Sequence, residues 1–405
     1  MNYIWVTGMF RSGTTLLAKM FDAHPAIAFA SDPYRPFFND LRDVIAKENG
    51  LLNNNPPHMP LSDYFCDDEQ LQAMKLIQKS FLEEKISDAH LDDLKIRIRD
   101  RGMEFSPFVA NKVVGTLKGN TYRKLFSSMM ELVQQCYGKG DEETIGIKEV
   151  WCNEFTGVLL RAFSNMKAIN IVRDPRAVFA SKNVVGEKYP LIFLIRQWRK
   201  LAIFTWLFTN MDEFSNSLLV VKYEDLIKNP EEISRKICSF VDVDFSLNMI
   251  DGAKFRHGDG STWLQNSSFG KGSEISTKYS EKWRSVLRQE EIRLIEMLCF
   301  HEMKLFGYKP LNDGVESISR GLVYNPLIIK EEELAGWIKP FVDTRIISNF
   351  VEMAKEMARS ELVQIDKETL SKMDINDKII ESLFIRGEYF DHVRNSYLSR
   401  SRTTL

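Results

Sequence analysis

The chain is poor in the residues that build disulfide frameworks and metal centres. Its 405 residues include only five cysteines and six histidines. The histidines form no HExxH motif and the cysteines form no Cys-x-x-Cys pair, so the sequence predicts no metal site. An odd number of dispersed cysteines favours a reducing compartment over a disulfide-bonded secreted domain. These residues are Cys66, Cys136, Cys152, Cys238 and Cys299.

Long apolar runs and a strong charge of either sign are also missing. No stretch approaches the roughly 18 apolar residues that cross a bilayer, and no targeting segment precedes the first predicted strand. The formal net charge is −2, which argues against a general binder of nucleic acids or anionic membranes. We therefore expect a cytoplasmic protein. Because 44% of the residues are hydrophobic, the chain can bury a large core.

The most informative segment is YIWVTGMFRSGTT, residues 3–15. Its apolar strand pattern breaks at Gly8, and a short loop leads through Gly13 into a helical pattern. The backbone N–H groups of such a loop and the positive end of the helix favour an anionic phosphate. The alternative is a glycine-rich turn without a ligand. The predicted phosphate-binding residues are Arg11, Ser12, Gly13, Thr14 and Thr15.

The loop lacks the lysine of a nucleoside triphosphate site. Gly8 and Gly13 have the Walker A spacing, but Thr14 occupies the position of the lysine. Arg11 lies within the loop instead, and its guanidinium offers several donors to a phosphate oxygen. The sequence therefore predicts a 5′-phosphate site that does not need a triphosphate. It disfavours a kinase or NTPase, which stays the alternative.

A second junction of strand and helix follows residues 168–172. This short run is rich in β-branched residues, which is typical of a buried parallel strand, and it leads into the sequence RDPR. Asp174 can cap the next helix, and Pro175 suits its first position. Arg173 and Ser181 are predicted to meet at a further phosphate. The alternative is that the arginines of RDPR simply begin a solvated helix.

Strand and helix patterns alternate along the first 310 residues. This alternation predicts one α/β domain with three layers, in which helices flank a parallel sheet of the P-loop type. Residues 34–137 carry only helical patterns, notably 69–84 and 88–101. They are predicted to form an insertion beside the mouth of the active site, on the side where an acceptor substrate would bind. The predicted strands lie near residues 3–7, 26–30, 144–147, 168–172 and 218–222.

Two further regions are predicted to be helical. Residues 192–214 are rich in Trp and Phe, which indicates a packed core helix. Residues 311–405 begin with a polar linker and continue with amphipathic patterns. This C-terminal region is predicted to be a stabilising cap, a dimerisation element or a module that docks a carrier. Its predicted helices are 346–357, 367–373 and 377–397.

Together the two junctions resemble those of the sulfotransferases that use 3′-phosphoadenosine-5′-phosphosulfate (PAPS). FRSGTT resembles their 5′-phosphosulfate loop, and VRDPRAVFAS resembles their 3′-phosphate motif. The resemblance spans roughly residues 1–309 and includes VVKYEDL at 220–226, NSSF at 266–269 and SEKW at 280–283. DAHP at 22–25 is closest to tyrosylprotein and Golgi-type carbohydrate enzymes. Golgi relatives have a membrane anchor, so its absence here suggests a bacterial cytoplasmic enzyme or a trimmed chain.

The resemblance implies that PAPS donates a sulfuryl group to a hydroxyl of a carbohydrate, peptide or small metabolite. The product would be 3′-phosphoadenosine-5′-phosphate (PAP), and no metal would be required. By its spacing from Arg11, Asp32 matches a catalytic glutamate of the tyrosylprotein group. A carboxylate there can take the proton of the acceptor. Without the resemblance, Asp32 is a good turn residue before Pro33. An inactive nucleotide-binding scaffold also stays open, since aspartate replaces glutamate.

The resemblance implies roles for other side chains. Lys148 matches a lysine that points at the sulfonate and would stabilise the moving charge together with Arg11; an exposed lysine at a strand end is the alternative. Tyr223 would pack the nucleotide side of the site, unless it is a plain core tyrosine. Other predicted cofactor ligands are Ser267, Ser268, Lys271 and Lys282. A homodimer is a further option that the sequence does not decide.

Overall fold

The structure is a computed structural model that describes residues 1–51, 68–140, 144–181, 191–264, 275–278, 280–311, 349–373 and 375–401. The chain divides into two compact units. The first unit consists of Met1–Leu61, Lys75–Arg173 and Phe208–Ser280. The second unit consists of Ser62–Met74, Asp174–Leu207 and Glu281–Leu405.

The first unit contains a sheet of five parallel strands. These are β1 (Asn2–Gly8), β2 (Ile27–Ser31), β3 (Thr144–Val150), β4 (Met166–Val172) and β5 (Leu218–Lys222). Their spatial order is β2-β3-β1-β4-β5, and every neighbouring pair is parallel. All five predicted strands are confirmed. β3 extends beyond the prediction because Lys148 and Glu149 interrupt the apolar run without ending the strand.

Helices make up most of the remaining described chain. They are α1 (Thr14–Ala23), α2 (Arg35–Glu48), α3 (Asp68–Ile77), α4 (Asp88–Gly102), α5 (Pro107–Ala110), α6 (Val113–Thr116), α7 (Tyr122–Tyr137), α8 (Thr156–Ala162), α9 (Pro175–Phe179), α10 (Leu191–Thr209), α11 (Tyr223–Lys228), α12 (Pro230–Phe240), α13 (Trp283–Val286), α14 (Gln289–Leu298), α15 (Phe300–Leu305), α16 (Asn349–Gln364), α17 (Lys367–Lys372), α18 (Asp377–Phe384) and α19 (Gly387–Ser401).

β1 shows that the sheet is buried on both faces. Its side chains alternate, as in any strand, so that Ile4 and Val6 join a cluster with α1. Tyr3 and Trp5 point the other way. The rings of Trp5 and Phe38, on α2, lie 5.1 Å apart. Helices therefore cover both faces of the sheet, and the predicted three-layer α/β fold is confirmed.

Some predicted helices end earlier than their patterns. The insertion is helical in its described part, as predicted, but α3 stops at Ile77, and Leu82 has a φ of 63° that no helix accommodates. The single helix predicted over 377–397 is two helices, α18 and α19. Ile385, with a φ of 67°, separates them. The amphipathic sequence pattern continues across both breaks, and only the positive φ angles of Leu82 and Ile385 show that the helices end.

The second unit contains α10 and the C-terminal helices. Phe193, Ile195 and Trp198 of α10 are buried, as predicted for a core helix. The ring of Trp206 lies 5.3 Å from that of Tyr389, which belongs to α19. The C-terminal helices thus pack on α10. No helix in the described part of the chain has the length and apolarity to cross a membrane.

Candidate active site

Two glycines shape the loop between β1 and α1. A Cβ on Gly8 would lie 2.4 Å from the carbonyl oxygen of Ile171. Gly13 has a φ of 95°, and a Cβ there would lie 2.2 Å from the ring of Tyr223. Within the described chain no side chain caps α1. The first N–H groups of α1 therefore stay open to an anion.

Ser12 and Arg11 hold the turn of this loop. The Ser12 hydroxyl donates to the Met9 carbonyl, and the Ser12 amide donates to the same oxygen at 3.1 Å. Arg11 has a left-handed backbone, with a φ of 65°, and a half-buried side chain. Thr14 is buried, whereas Thr15 is partly exposed. The Ser12 side chain thus supports the loop itself, and phosphate binding by these five residues stays a prediction.

The end of β4 contacts this loop. The Arg173 guanidinium donates from Nη1 to the Arg11 carbonyl at 2.8 Å, and it lies 4.3 Å from the centroid of the Tyr223 ring. The same ring covers Gly13. The register places Gly8 of β1 opposite Ile171 of β4, so parallel strands bring the two motifs to one edge. Arg173 and the loop therefore lie together.

The residues directly after Arg173, Asp174–Leu207, belong to the second unit. Asp174 caps α9 by accepting from the Arg176 amide at 2.9 Å. The Arg176 guanidinium pairs with Asp174 and Glu296 and stacks 4.2 Å from the Trp283 ring. Arg176 is therefore a buried structural residue, and the interpretation of it as solvated is wrong.

The other predicted cofactor ligands are less well defined. Ser181 is buried, and the exposed Lys282 stands immediately before α13. Ser267, Ser268 and Lys271 lie outside the described residues. The roles of these five residues at a cofactor stay predictions.

An ion pair joins the ends of β2 and β3. The register aligns Ser31 with Lys148, so that Asp32 follows at the carboxyl edge of the sheet. The Lys148 ammonium bonds to an Asp32 carboxylate oxygen, and the Asp32 amide donates to the Lys148 carbonyl at 2.7 Å. The Val150 amide lies 3.4 Å from the other carboxylate oxygen. Because Lys148 is only 1% exposed, the alternative of an exposed lysine is wrong.

Backbone strain concentrates at the same edge. Arg11, Asp32 and Trp151 follow β1, β2 and β3, and their φ angles are 65°, 50° and 60°. A left-handed conformation in residues with a Cβ costs on the order of 1–3 kcal/mol and persists only where surrounding contacts enforce it. Such strain is concentrated at functional sites, which supports this edge as the site.

Sequence reasoning missed Glu149 and Arg35. Glu149 is fully buried, and its Oε1 accepts a hydrogen bond from the Tyr34 amide. Burial, and then the nearby Asp32 carboxylate, raises the pKa of Glu149 to about 8. Arg35 is buried with its guanidinium 5.2 Å from the Trp151 ring, and burial lowers the pKa of Arg35. The signal in the sequence was a charged pair, Lys148-Glu149, inside an otherwise apolar strand.

Lys19 is a third residue that sequence reasoning missed. Its side chain is 6% exposed although it carries an ammonium. Burial lowers the pKa of Lys19; Asp22 opposes this shift, and Lys148 adds to it. Lys19 follows Thr15 by four residues, so both lie on one face of α1. That spacing could have indicated a cation near the loop.

The described residues hold no group of three or more His, Cys, Asp or Glu side chains that could bind a metal ion. Independence from metals stays a prediction.

Residues 4–246 match the model of the sulfotransferase family. The chain therefore belongs to the sulfotransferase family, and it is a transferase.

Several known proteins are similar to this chain. Carbohydrate sulfotransferase 1 of Danio rerio is 22% identical over 369 residues, which are 78% of this chain and 80% of that protein. Carbohydrate sulfotransferase 1 of Rattus norvegicus is 26% identical, over 47% of this chain and 48% of the relative. Among solved structures, the sulfotransferase domain of the Synechococcus PCC 7002 olefin synthase has a TM-score of 0.47 and 19% identity, covering 76% of this chain and 95% of that domain.

Proposed function

We propose that this protein transfers a sulfuryl group from PAPS to a hydroxyl of a carbohydrate. The observation that carries this proposal is the buried Asp32–Lys148 pair at the carboxyl ends of β2 and β3. β3 lies next to β1, which leads into a phosphate loop without the Walker lysine. Family membership supports the reaction, and the names of the relatives support the acceptor class. Peptide and small-metabolite hydroxyls are the alternative acceptors.

The loop residues fit the donor. The uncapped start of α1 and the guanidinium of Arg11 suit the 5′-phosphosulfate, since both present donors to an anion. Gly8 and Gly13 let the loop pass close to Ile171 and to the Tyr223 ring, where a Cβ would clash. Arg173 would hold the 3′-phosphate, and Ser181 and Lys282 are further predicted ligands of that group. PAPS, when bound, supplies the activated sulfuryl group and its leaving phosphate.

The chain's own residues supply base and charge. Asp32 would accept the proton of the acceptor hydroxyl as that oxygen becomes the nucleophile. Lys148 orients the carboxylate of Asp32 and places a positive charge at the edge where negative charge moves. Both groups are nearly excluded from water, so their electrostatic interactions are stronger than on a surface.

Calorimetric titration with PAP tests the donor site. PAP should bind tightly without metal, more tightly than AMP, in the absence of any acceptor. A preference for ATP with Mg²⁺ would instead support a kinase or NTPase, and the absence of PAP binding would reject the proposal. Retention of transfer in EDTA would support independence from metals.

A screen with radiolabelled PAPS tests the acceptor. Saccharides, tyrosine peptides and small hydroxylated metabolites should be compared, with Asp32→Asn as the control for background label. Label that enters only peptides or metabolites would overturn the carbohydrate assignment. A cytoplasmic location also stays a proposal, which fractionation of the native host would test.

A further inference from the structure

Glu149 is a buried carboxyl group that the proposed reaction does not use. It is 0% exposed and lies between Lys148 and Val150, two residues that both bond to Asp32. Its Oε1 accepts the N–H of Tyr34, two residues after Asp32. Its Oε2 is buried and has no hydrogen-bond partner among the residues that the structure describes. A carboxyl oxygen left in this way is costly when the group is ionised.

The charges that face Glu149 come from three elements. Asp32 approaches from the end of β2, Lys148 precedes Glu149 on β3, and Arg35 begins α2. The Arg35 guanidinium forms no ion pair with Glu149 within the described chain, and its Nη2 has no hydrogen-bond partner there. The Lys148 ammonium is thus bonded to Asp32, whereas the Glu149 carboxyl accepts the Tyr34 amide. Lys148 and Glu149 are consecutive on β3, so their side chains leave the sheet on opposite faces.

We propose that Glu149 is a positioning residue for sulfuryl transfer, which fixes the Asp32 turn through the Tyr34 amide and which, on ionising, adds a second negative charge beside Asp32, where negative charge moves in the reaction. This inference rests on the proposed function only where it names Asp32 as the base. The turn at Asp32 leaves the Tyr34 amide buried, and Glu149 Oε1 is its acceptor.

The electrostatics agree with this geometry. Burial raises the pKa of Glu149 to about 8, and Asp32 adds to that rise, while the Tyr34 amide, Lys148 and Arg35 oppose it. Glu149 is therefore mostly protonated at pH 7. Because the Asp32 carboxylate contributes to this rise, removal of its charge must appear in the titration of Glu149.

Carboxyl-carbon NMR of protein with ¹³C-labelled glutamate tests the inference without cofactor or acceptor. The resonance that disappears in Glu149→Gln should titrate near pH 8 in the wild-type protein. In Asp32→Asn it should titrate at least one pH unit lower, because a negative charge is gone. In Lys148→Met it should titrate higher. The control is Glu154→Gln, which removes another fully buried glutamate and should leave this titration unchanged.

Two results would overturn the inference. One is a Glu149 resonance that titrates near the ordinary glutamate value, and the other is a resonance that does not respond to Asp32→Asn. If Glu149→Gln fails to fold, Glu149→Asp assigns the resonance instead. A purely structural role of Glu149 would change the stability of the protein, but the titration of Glu149 would then not respond to Asp32→Asn.

The pH profile of transfer provides the second readout, with the acceptor found by the screen. In the wild-type protein kcat should decline about tenfold per pH unit above the Glu149 titration, as one ionisation requires. Glu149→Gln should lack this alkaline decline, because glutamine keeps the oxygen for Tyr34 but cannot ionise. A decline that persists in Glu149→Gln would assign it to another group. Failure of PAP to bind would reject the proposed function while the titration still stands.

Discussion

Two of the buried charge clusters in the described chain partner their charges differently. The sheet-edge cluster consists of Asp32, Lys148 and Glu149 in the first unit. The helix cluster lies in the second unit and consists of Arg196, Arg199, Glu302, Glu356, Arg359 and Tyr389. The side chains of both clusters are buried, so the pKa values of their acids differ because the charges are paired differently.

The helix cluster pairs its acids with arginines, although Glu302 Oε2 has no hydrogen-bond partner in the described chain. Glu356 pairs with Arg199 and Arg196, and Glu302 pairs with Arg359 and accepts from the Tyr389 hydroxyl at 2.8 Å. Burial alone would raise the pKa of Glu356, but the guanidinium groups outweigh it and lower this pKa to about 2. Both acids are thus held ionised. A charge network of this kind ties α10 to α15, α16 and α19.

In the sheet-edge cluster the pKa of the buried glutamate is raised instead of lowered. Acids outnumber the ammonium, the pKa of Glu149 lies near 8, and strained backbone surrounds the pair. Such an arrangement costs stability, and it is typical of sites where a group must change its charge. Burial of charge alone therefore does not identify a functional site. A buried acid with a raised pKa beside an ion pair is the better indicator.

Removal of the Asp32 carboxylate should have the largest effect. Asp32→Asn should lower transfer by about 10³-fold, since general-base catalysis contributes on the order of 10²–10⁴. PAP affinity should change little, because Asp32 lies beyond the phosphate loop. Steady-state kinetics and calorimetry measure both. The control is Asp93→Asn, at an exposed carboxylate on α4. An active Asp32→Asn enzyme would place the base elsewhere.

Glu356→Gln should break the helix cluster. It should lower the free energy of unfolding at pH 7 by about 3–5 kcal/mol, because two buried guanidinium groups lose their counter-ion. The folded-state pKa is depressed, so this stabilisation is complete above the ordinary glutamate pKa and is lost as pH falls toward 2. Denaturation across this range tests the sign. Glu368→Gln on α17 is the exposed control, and an equal loss there would contradict the assignment.

Arg173→Met should weaken PAP binding by about 10- to 100-fold, as expected for a charged hydrogen bond to phosphate. AMP affinity should fall less, because AMP has no 3′-phosphate. Calorimetric titration of both nucleotides measures this difference, with the exposed Arg235→Met as the control. Equal losses for PAP and AMP would mean that Arg173 only supports the loop through the Arg11 carbonyl.

Lys19→Met should have the smallest effect, a gain of about 1 kcal/mol in stability. The change keeps the volume of the side chain and removes a desolvated ammonium. Since the pKa of Lys19 is lowered, the folded protein binds fewer protons at high pH than the unfolded chain. The gain should therefore shrink as pH rises toward 10. A loss of stability would show that neighbouring acids such as Asp22 compensate the charge of Lys19, as the arginines compensate the acids of the helix cluster.

The sheet and its phosphate loop could be predicted because their signals are local. Five apolar runs and two strand-to-helix junctions are visible in short windows, and all five strands agree with the structure. Breaks at Leu82 and Ile385 could not be predicted, because an amphipathic pattern continues through a residue whose backbone is left-handed. Arg176 was ambiguous for a related reason: its counter-ion Glu296 lies 120 residues away in sequence.

The sequence by itself determined the fold class, the phosphate loop without its lysine, and the family. Only the tertiary structure decided that Lys148 is buried against Asp32, that Glu149 lies behind this pair, and that Lys19 is desolvated. The physical reason is that strand and helix propensities act over a few neighbours. Burial and charge coupling instead depend on which distant residues share an edge, and parallel pairing of β2 with β3 sets that arrangement across more than a hundred residues.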